Sequence, residues 1–189
     1  MSEAAPAPEP AEVSAEDKAK ATFAAARKVV KGVALEAVRF RALAAQGFAT
    51  VDLIPDDADL NGATSFLRPS VTSTEEGFST RTTLVFRLSG KLPGEVALKP
   101  YAVVRATLEA EYSLNADAPE FSEEELTDFA LCYCPFHVWG YWREFVQSSL
   151  ARLDLPHVTL PLFLINQALK LVRDDLDSSV HQREALPPN

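Results

Sequence analysis

Apolar and polar residues alternate along the middle of the chain with a period of two, which is typical of β-strands that bury one face. The pattern predicts four strands, at Val33–Leu43, Phe66–Thr74, Phe78–Leu88 and Tyr101–Leu114. The first strand places apolar residues on one face (Ala34, Val38, Phe40, Ala42) and mainly arginines on the other (Ala37, Arg39, Arg41). Pro69 lies inside the second strand and has no amide hydrogen, so we expect that strand to bend or to lie at an edge.

The third and fourth strands alternate more regularly. Their predicted inner faces are apolar (Leu84, Phe86, Leu88; Ala102, Val104, Ala106, Leu108, Tyr112), and their outer faces are mostly charged (Arg81, Val85, Arg87; Arg105, Thr107, Glu109, Glu111). Gln46–Gly62, with Asn61-Gly62 near its end, is predicted to be a loop. Because the connections are short turns elsewhere, we expect an antiparallel meander.

The period then changes to that of helices. Ser122 and Glu125 form a capping-box signature, so a helix should begin there. Pro135 removes a helical amide donor, which predicts a break near Cys134 before the helix continues to Leu153. We expect a further helix from Pro161 to about Arg173, because proline suits a first helical position. Another short helix is predicted over Ala21–Val30. The expected fold class is α+β, with helices packed on one face of a four-stranded antiparallel sheet.

Both ends of the 189-residue chain differ in composition from its centre. Residues 1–20 are rich in Ala, Pro and Glu and are expected to be disordered, and residues 174–189 are expected to be a flexible polar tail around a domain at 21–173. Each tail carries a net charge of −3 out of the total of −9. No basic excess attracts phosphates, so nucleic acid is not an expected partner.

Membrane insertion and disulfide bonding are not expected. The wholly apolar runs, such as Leu162–Ile165, are far shorter than a bilayer span, and the N-terminus lacks the layout of a signal peptide. Cys132 and Cys134 are two residues apart, and such side chains point apart on a helix, so they are not expected to pair with each other. These features favour a cytoplasmic protein.

Three patterns resemble catalytic or metal-binding motifs but are incomplete. Residues 57–62 match the first half of a calcium loop, yet Arg68 stands where a bidentate glutamate is needed. Cys132, Cys134 and His137 lack both the spacing and the fourth ligand of structural zinc. No nucleophile elbow or glycine-rich phosphate loop is present. We therefore expect no catalytic residues, no metal and no cofactor, and we expect that the protein is not an enzyme.

Aromatic and apolar residues are concentrated after the fourth strand. Phe136, Trp139 and Trp142 surround Pro135, and Leu162–Val172 is apolar on nearly all sides. A helix that is apolar all round must be covered on more than one side. In a chain this short, the additional cover could be core packing, a partner subunit or a bound polypeptide.

The run Tyr133-Cys134-Pro135, followed by Tyr141 and Arg143-Glu144, resembles the signature of the SecB family of export chaperones. The leucine–proline pairs at 155–156 and 160–161 occupy the position of the family's proline loop. The resemblance covers roughly Val33 to Val172. A SecB-like chaperone that serves toxin–antitoxin systems is a close alternative within the family.

The resemblance implies an ATP-independent chaperone that assembles as a homotetramer, a dimer of dimers. Such a protein holds unfolded preproteins in long apolar grooves; a dedicated client such as an antitoxin is the alternative, and a structural protein that binds one folded partner is another. The groove residues implied here are Leu67, Val71, Phe136, Trp139, Trp142, Leu162, Phe163 and Ile165.

The outer face of the sheet is the second predicted site. The family uses acidic positions there to bind the export motor SecA, and the residues that align with them here are Ala37, Arg41 and Arg105. Strand alternation adds further arginines, which gives a partner-docking face of Arg39, Arg41, Arg81, Arg87 and Arg105. Such a face should attract anionic protein segments. The other reading is that these arginines are only solvated strand charges.

Overall fold

The structure is a computed structural model that describes residues 14–48, 54, 58–91, 98–164, 168 and 170. Its elements are α1 (Ala15–Gly32), β1 (Val33–Gly47), β2 (Asp59–Phe66), β3 (Ser70–Ser73), β4 (Gly77–Lys91), β5 (Lys99–Leu114), α2 (Glu123–Cys132) and α3 (Cys134–Arg152). The predicted α+β class, an antiparallel sheet with helices packed on it, is confirmed. No helix in this part of the chain is long and apolar enough to cross a bilayer.

The sheet has the order β1-β5-β4-β2, and β3 also pairs with β4. Every pair is antiparallel. The predicted second strand, Phe66–Thr74, corresponds to the last residue of β2 and to β3, which are separated at Leu67-Arg68-Pro69, where proline cannot donate a ladder hydrogen bond. In the described part of the chain the sheet therefore has five strands and not the predicted four. The predicted meander is wrong for β1, which pairs with β5 at the opposite edge from β2. The connection between β1 and β2 is long enough to pass across three strand spacings.

β1 departs from regular alternation at two β-bulges. The register with β5 shifts between Leu35 and Ala37 and again between Phe40 and Ala42. Each extra residue moves the positions beyond it to the other face. Opposite the inward-facing Tyr112 and Ala106 of β5 therefore stand Leu35 and Leu43. The prediction that Ala34 and Ala42 share a face with Val38 and Phe40 is wrong for this reason.

β2 occupies part of the segment predicted to be a loop. Asn61-Gly62 lies within the strand, paired with Ser89 and Leu88 of β4, and does not form a turn. Gly62 is required by close packing, since a Cβ there would lie 2.8 Å from a ring carbon of Phe86. Residues 59–62 of the half-match to a calcium loop therefore lie in a paired strand.

The core lies between the inner faces of β4 and β5 and the helices. Leu84, Phe86, Leu88, Val104 and Leu108 are fully buried, and so are Phe129, Val138, Trp142 and Val146 from α2 and α3. These strand residues are those predicted to face inward. The central strands β4 and β5 are buried by the helices, whereas β1 is exposed along most of its length.

The helices confirm most of the predicted boundaries. Ser122 and Glu125 form the predicted capping box at the start of α2, and the predicted break separates α2 from α3 at Tyr133. Helix α1 is longer than predicted and begins within the segment expected to be disordered, because Ser14 caps its first turn and Ala19 extends its buried stripe. The helix predicted to begin at Pro161 does not, since Pro161–Leu164 has no regular structure; of the residues beyond it, Ala168 and Lys170 are described, and both are helical.

Candidate functional site

Four aromatic rings from three parts of the chain form one cluster at the end of β2. This aromatic cluster consists of Phe66, Phe136, Trp139 and Phe163. The Phe66 ring stacks on Trp139 with the ring centroids 5.8 Å apart. Phe163 contacts all three others, at centroid distances of 5.5, 4.9 and 5.2 Å to Phe66, Phe136 and Trp139. Such ring pairs are stabilised beyond the area that they bury.

The end of α3 directs the chain back towards this cluster. Asp154 has a φ of 52°, and it follows the last helical turn. The amides of Asp154 and Leu155 donate to the carbonyls of Ala151 and Leu150, the pattern of a Schellman motif. Leu150 and Leu155, the two positions that are usually apolar in this motif, are both buried in the core. The chain then runs from Leu155 to Leu164 without regular structure.

One hydrogen bond fixes this returning segment to the helix. The indole nitrogen Nε1 of Trp139 donates to the carbonyl of Pro161 at 2.8 Å. Leu160, which precedes Pro161, is buried, and Phe163, which follows it by two residues, packs into the aromatic cluster. Leu162 and Leu164, which alternate with Phe163, are exposed by 66% and 58%. The segment thus exposes two leucines, Leu162 and Leu164, beside the aromatic cluster.

The structure brings most of the predicted groove residues together but not all of them. Phe136, Trp139 and Phe163 belong to the aromatic cluster, Leu162 lies beside it, and Val71 is half-buried against the same core. Leu67 directly follows Phe66 and is 49% exposed at the break between β2 and β3.

Two predicted groove residues do not contribute to this surface. Trp142 is fully buried in the core, because it lies on the face of α3 that contacts the sheet, so its assignment to the groove is wrong. Ile165 lies outside the described residues. Sequence reasoning missed Phe66 and Leu164; the apolar pair Phe66-Leu67 at the end of a polar strand was the signal for the first.

A second apolar surface lies on the inner side of β1. Leu35, Phe40 and Leu43 are exposed there although they face the same side as the core. Helix α3 contacts this strand at Phe40, whose ring centroid is 5.5 Å from that of Phe145. The outer edge of β1 has no paired strand in the described part of the chain. This surface is apolar and adjacent to the edge of β1 that is unpaired among the described residues.

The signature residues have mainly structural positions. Tyr133 ends α2 and lies between Phe23 and Phe129, with centroid distances of 5.0 and 5.7 Å. Pro135 occupies the first turn of α3, where its missing amide hydrogen costs nothing. Tyr141 and Glu144 are exposed, and Arg143 is half-buried.

Cys134 lies in a buried polar cluster. Thr80 Oγ1 donates to Cys134 Sγ at 3.0 Å, and the hydroxyl of Tyr112 shares a hydrogen bond of 2.9 Å with Nδ1 of His137. Burial raises the pKa of Cys134 to about 11 and that of Cys132 to about 12, and it lowers the pKa of His137. Both thiols are therefore protonated at neutral pH, which disfavours nucleophilic attack. No group of three or more His, Cys, Asp or Glu in the described ranges could hold a metal ion.

On the outer face of the sheet, three of the five predicted docking arginines are bound to carboxylates. Glu109 is almost buried and accepts from two of them, with Nε of Arg41 and Nε of Arg81 each 3.0 Å from one of its oxygens. These bonds hold the pKa of Glu109 below its usual range, although burial opposes them. Arg39 forms an ion pair with Glu111.

The other two arginines have no carboxylate partner among the described residues. Arg87 donates only to the hydroxyl of Ser65, at 3.3 Å, and Arg105 makes no hydrogen bond or ion pair with the described part of the chain. Both side chains are exposed. The outer face thus has one end at which arginines pair with carboxylates and a second, cationic end at which they do not.

The sequence matches no protein-family model, and no curated protein matches it in sequence. Among solved structures, the fold is similar to that of the SecB-like chaperone Rv1957 of Mycobacterium tuberculosis in complex with a ChAD peptide from the Rv1956 HigA1 antitoxin. The TM-score is 0.62 with 21% identity, over 75% of this chain and 97% of that chain. A protein of unknown function from Streptococcus agalactiae matches with a TM-score of 0.30 and 13% identity, over 69% and 97% of the two chains, which is too low to indicate a common fold. The chain has a SecB-like fold.

Proposed function

We propose that this protein is an ATP-independent holdase chaperone that binds unfolded polypeptide segments on the apolar surface formed by the aromatic cluster with Leu67, Leu162 and Leu164. The observation that carries this proposal is the exposure of Leu67, Leu162 and Leu164 beside the aromatic cluster. A monomeric protein rarely exposes apolar side chains in such a group without a binding role. The SecB-like fold supports the same reading.

The experiment measures aggregation of an unfolded model protein in the presence of the chain. We expect suppression by the wild type and reduced suppression by Leu162→Ser/Leu164→Ser. Leu98→Ser is the control, since Leu98 is also exposed by 58% but directly precedes β5 and is not part of this apolar surface. Calorimetry should show a negative heat-capacity change on binding, as apolar burial requires. Equal aggregation with and without the chain would refute the holdase function.

The client is either a range of preproteins kept competent for export or one dedicated protein such as an antitoxin. The outer face favours the dedicated client, because Arg41 and Arg105 stand where acidic residues would receive the motor SecA. Specific binding of purified SecA to the wild type would favour export. A structural protein for one folded partner would instead bind that partner and ignore unfolded chains.

We also propose a cytoplasmic homotetramer, a dimer of dimers, in which further copies cover the inner side of β1. Leu35, Phe40 and Leu43 would then be buried at an interface next to an open strand edge. Light scattering tests this directly. We expect a tetramer for the wild type and smaller species for Leu43→Glu, and a wild-type monomer at micromolar concentration would refute the assembly.

A further inference from the structure

The outer face of the sheet has an uneven distribution of charge that the register of the strands explains. At one end, Arg39, Arg41 and Arg81 share the carboxylates of Glu109 and Glu111. At the other end, Val85 of β4 pairs with Arg105 of β5, and Arg87 of β4 pairs with Val103. Arg87 and Arg105 are therefore diagonal neighbours on the same face, and we call them the arginine pair.

No acidic residue of the sheet can reach the arginine pair through a neighbouring strand position. On β1 the position opposite Arg105 is Ala44, and on β2 the position opposite Arg87 is Ala63. The floor between the two guanidinium groups is apolar, since Val103 is half-buried and Val85 is mostly buried. Each guanidinium group has five N–H donors. Among the described residues, the one hydrogen bond that either arginine makes is from Arg87 to the hydroxyl of Ser65.

We infer that the arginine pair is a docking site for an acidic polypeptide segment of a partner protein. Two guanidinium groups at the distance of diagonal strand neighbours, about 7–8 Å at the backbone, match the spacing of carboxylates at alternate positions of an extended segment. The apolar floor would receive the side chain between them. Guanidinium–carboxylate pairs are commonly bidentate, so geometry as well as charge would select such a partner.

A polypeptide fits better than nucleic acid. Two arginines cannot offset the repulsion between a polyanion and a chain whose net charge is −9. A short acidic segment would interact mainly with the cationic end, because charges farther away than the Debye length of about 8–10 Å are screened at ordinary salt. The site lies on the side of the sheet away from the helices and the aromatic cluster, so it does not depend on the holdase function.

The test measures binding of a fluorescein-labelled hexaglutamate peptide to the full chain by anisotropy at low salt. We expect binding that weakens as salt is added and is about tenfold weaker in Arg87→Glu/Arg105→Glu, the size expected when two exposed ion pairs are lost. Arg27→Glu/Arg152→Glu changes the net charge equally at two exposed arginines of the helices and should bind almost as the wild type does. A hexaglutamine peptide should not bind.

Three results would overturn the inference. One is an equal loss of binding in both double variants, which would mean that only net charge matters. Another is a gain of more than about tenfold in peptide affinity when residues 1–13 are deleted. The natural occupant of the site would then be the chain's own glutamates, which the tether keeps at a high effective concentration. The third is an oligonucleotide that binds at 150 mM salt and loses binding in the Arg87/Arg105 variant. Circular dichroism and the milder Arg87→Gln/Arg105→Gln variant separate a lost site from a lost fold.

Discussion

Replacing Glu109 by glutamine should destabilise the fold more than any other single charge removal on the sheet. Its side chain is 7% exposed, and each of its oxygens accepts from one arginine, Arg41 on one side and Arg81 on the other. Glutamine keeps one acceptor and turns an NH₂ group towards the second guanidinium, so donor would face donor. The protein would also lose the negative charge that offsets two cations.

The expected cost is about 1–2 kcal/mol. Hydrogen bonds to a charged group contribute roughly 1.5–3 kcal/mol each, but the two arginines are 44% and 56% exposed and regain water when released. For a chain of this length, that loss corresponds to a fall in Tm of about 2–8 °C. Unfolding in urea at fixed protein concentration, followed by tryptophan fluorescence, measures it directly.

The pH dependence gives the same prediction an independent check. Because folding lowers the pKa of Glu109, its stabilisation is fully present above the ordinary carboxyl value of 4.5 and is lost as pH falls through the folded pKa. The difference between wild type and Glu109→Gln should therefore be constant near neutrality and shrink in acid. Glu111→Gln is the matched control, since Glu111 is 33% exposed and should cost less than about 1 kcal/mol. Equal costs for the two variants would refute the bridging role of Glu109.

Three further predictions concern backbone and thiols. Asp154→Gly should raise the free energy of unfolding by about 0.5–1 kcal/mol in urea, because glycine adopts a positive φ without the strain of a side chain, and a loss would contradict the Schellman assignment. Gly140→Ala should stabilise α3 by about 1 kcal/mol, because a Cβ at this helical position meets no other atom of the described residues. Gly77→Ala should prevent the native β4–β5 pairing, because its Cβ would lie 2.0 Å from the Tyr112 carbonyl oxygen. Thermal unfolding of the two variants tests both expectations. Cys132 and Cys134 should react with a thiol reagent at pH 8 only after denaturant is added, and rapid labelling of the native chain would show that they are not buried.

The sequence by itself determined the elements whose pattern is local. Regular alternation predicted the inner and outer faces of β4 and β5, because a strand that is buried on one face must repeat every second residue. The capping box and Pro135 located the start of α2 and the break before α3, because both act within one helical turn. The resemblance of residues 133–144 to the family signature predicted a SecB-like fold, and the structure confirms this fold.

The tertiary structure alone decided what depends on contacts between distant residues. The place of β1 beside β5 depends on pairing with residues that are 55 to 81 positions away. Its two bulges bring Leu35 and Leu43 to the inner face, which alternation alone could not show. Trp139 and Trp142 are both buried, yet the ring of Trp139 packs in the aromatic cluster whereas Trp142 is fully enclosed in the core. These surroundings are set by distant residues such as Phe66 and Phe163, so the sequence pattern could not distinguish the two tryptophans. The division of the arginines is likewise a matter of register, since Glu109 lies between Arg41 and Arg81 only when the three strands are aligned.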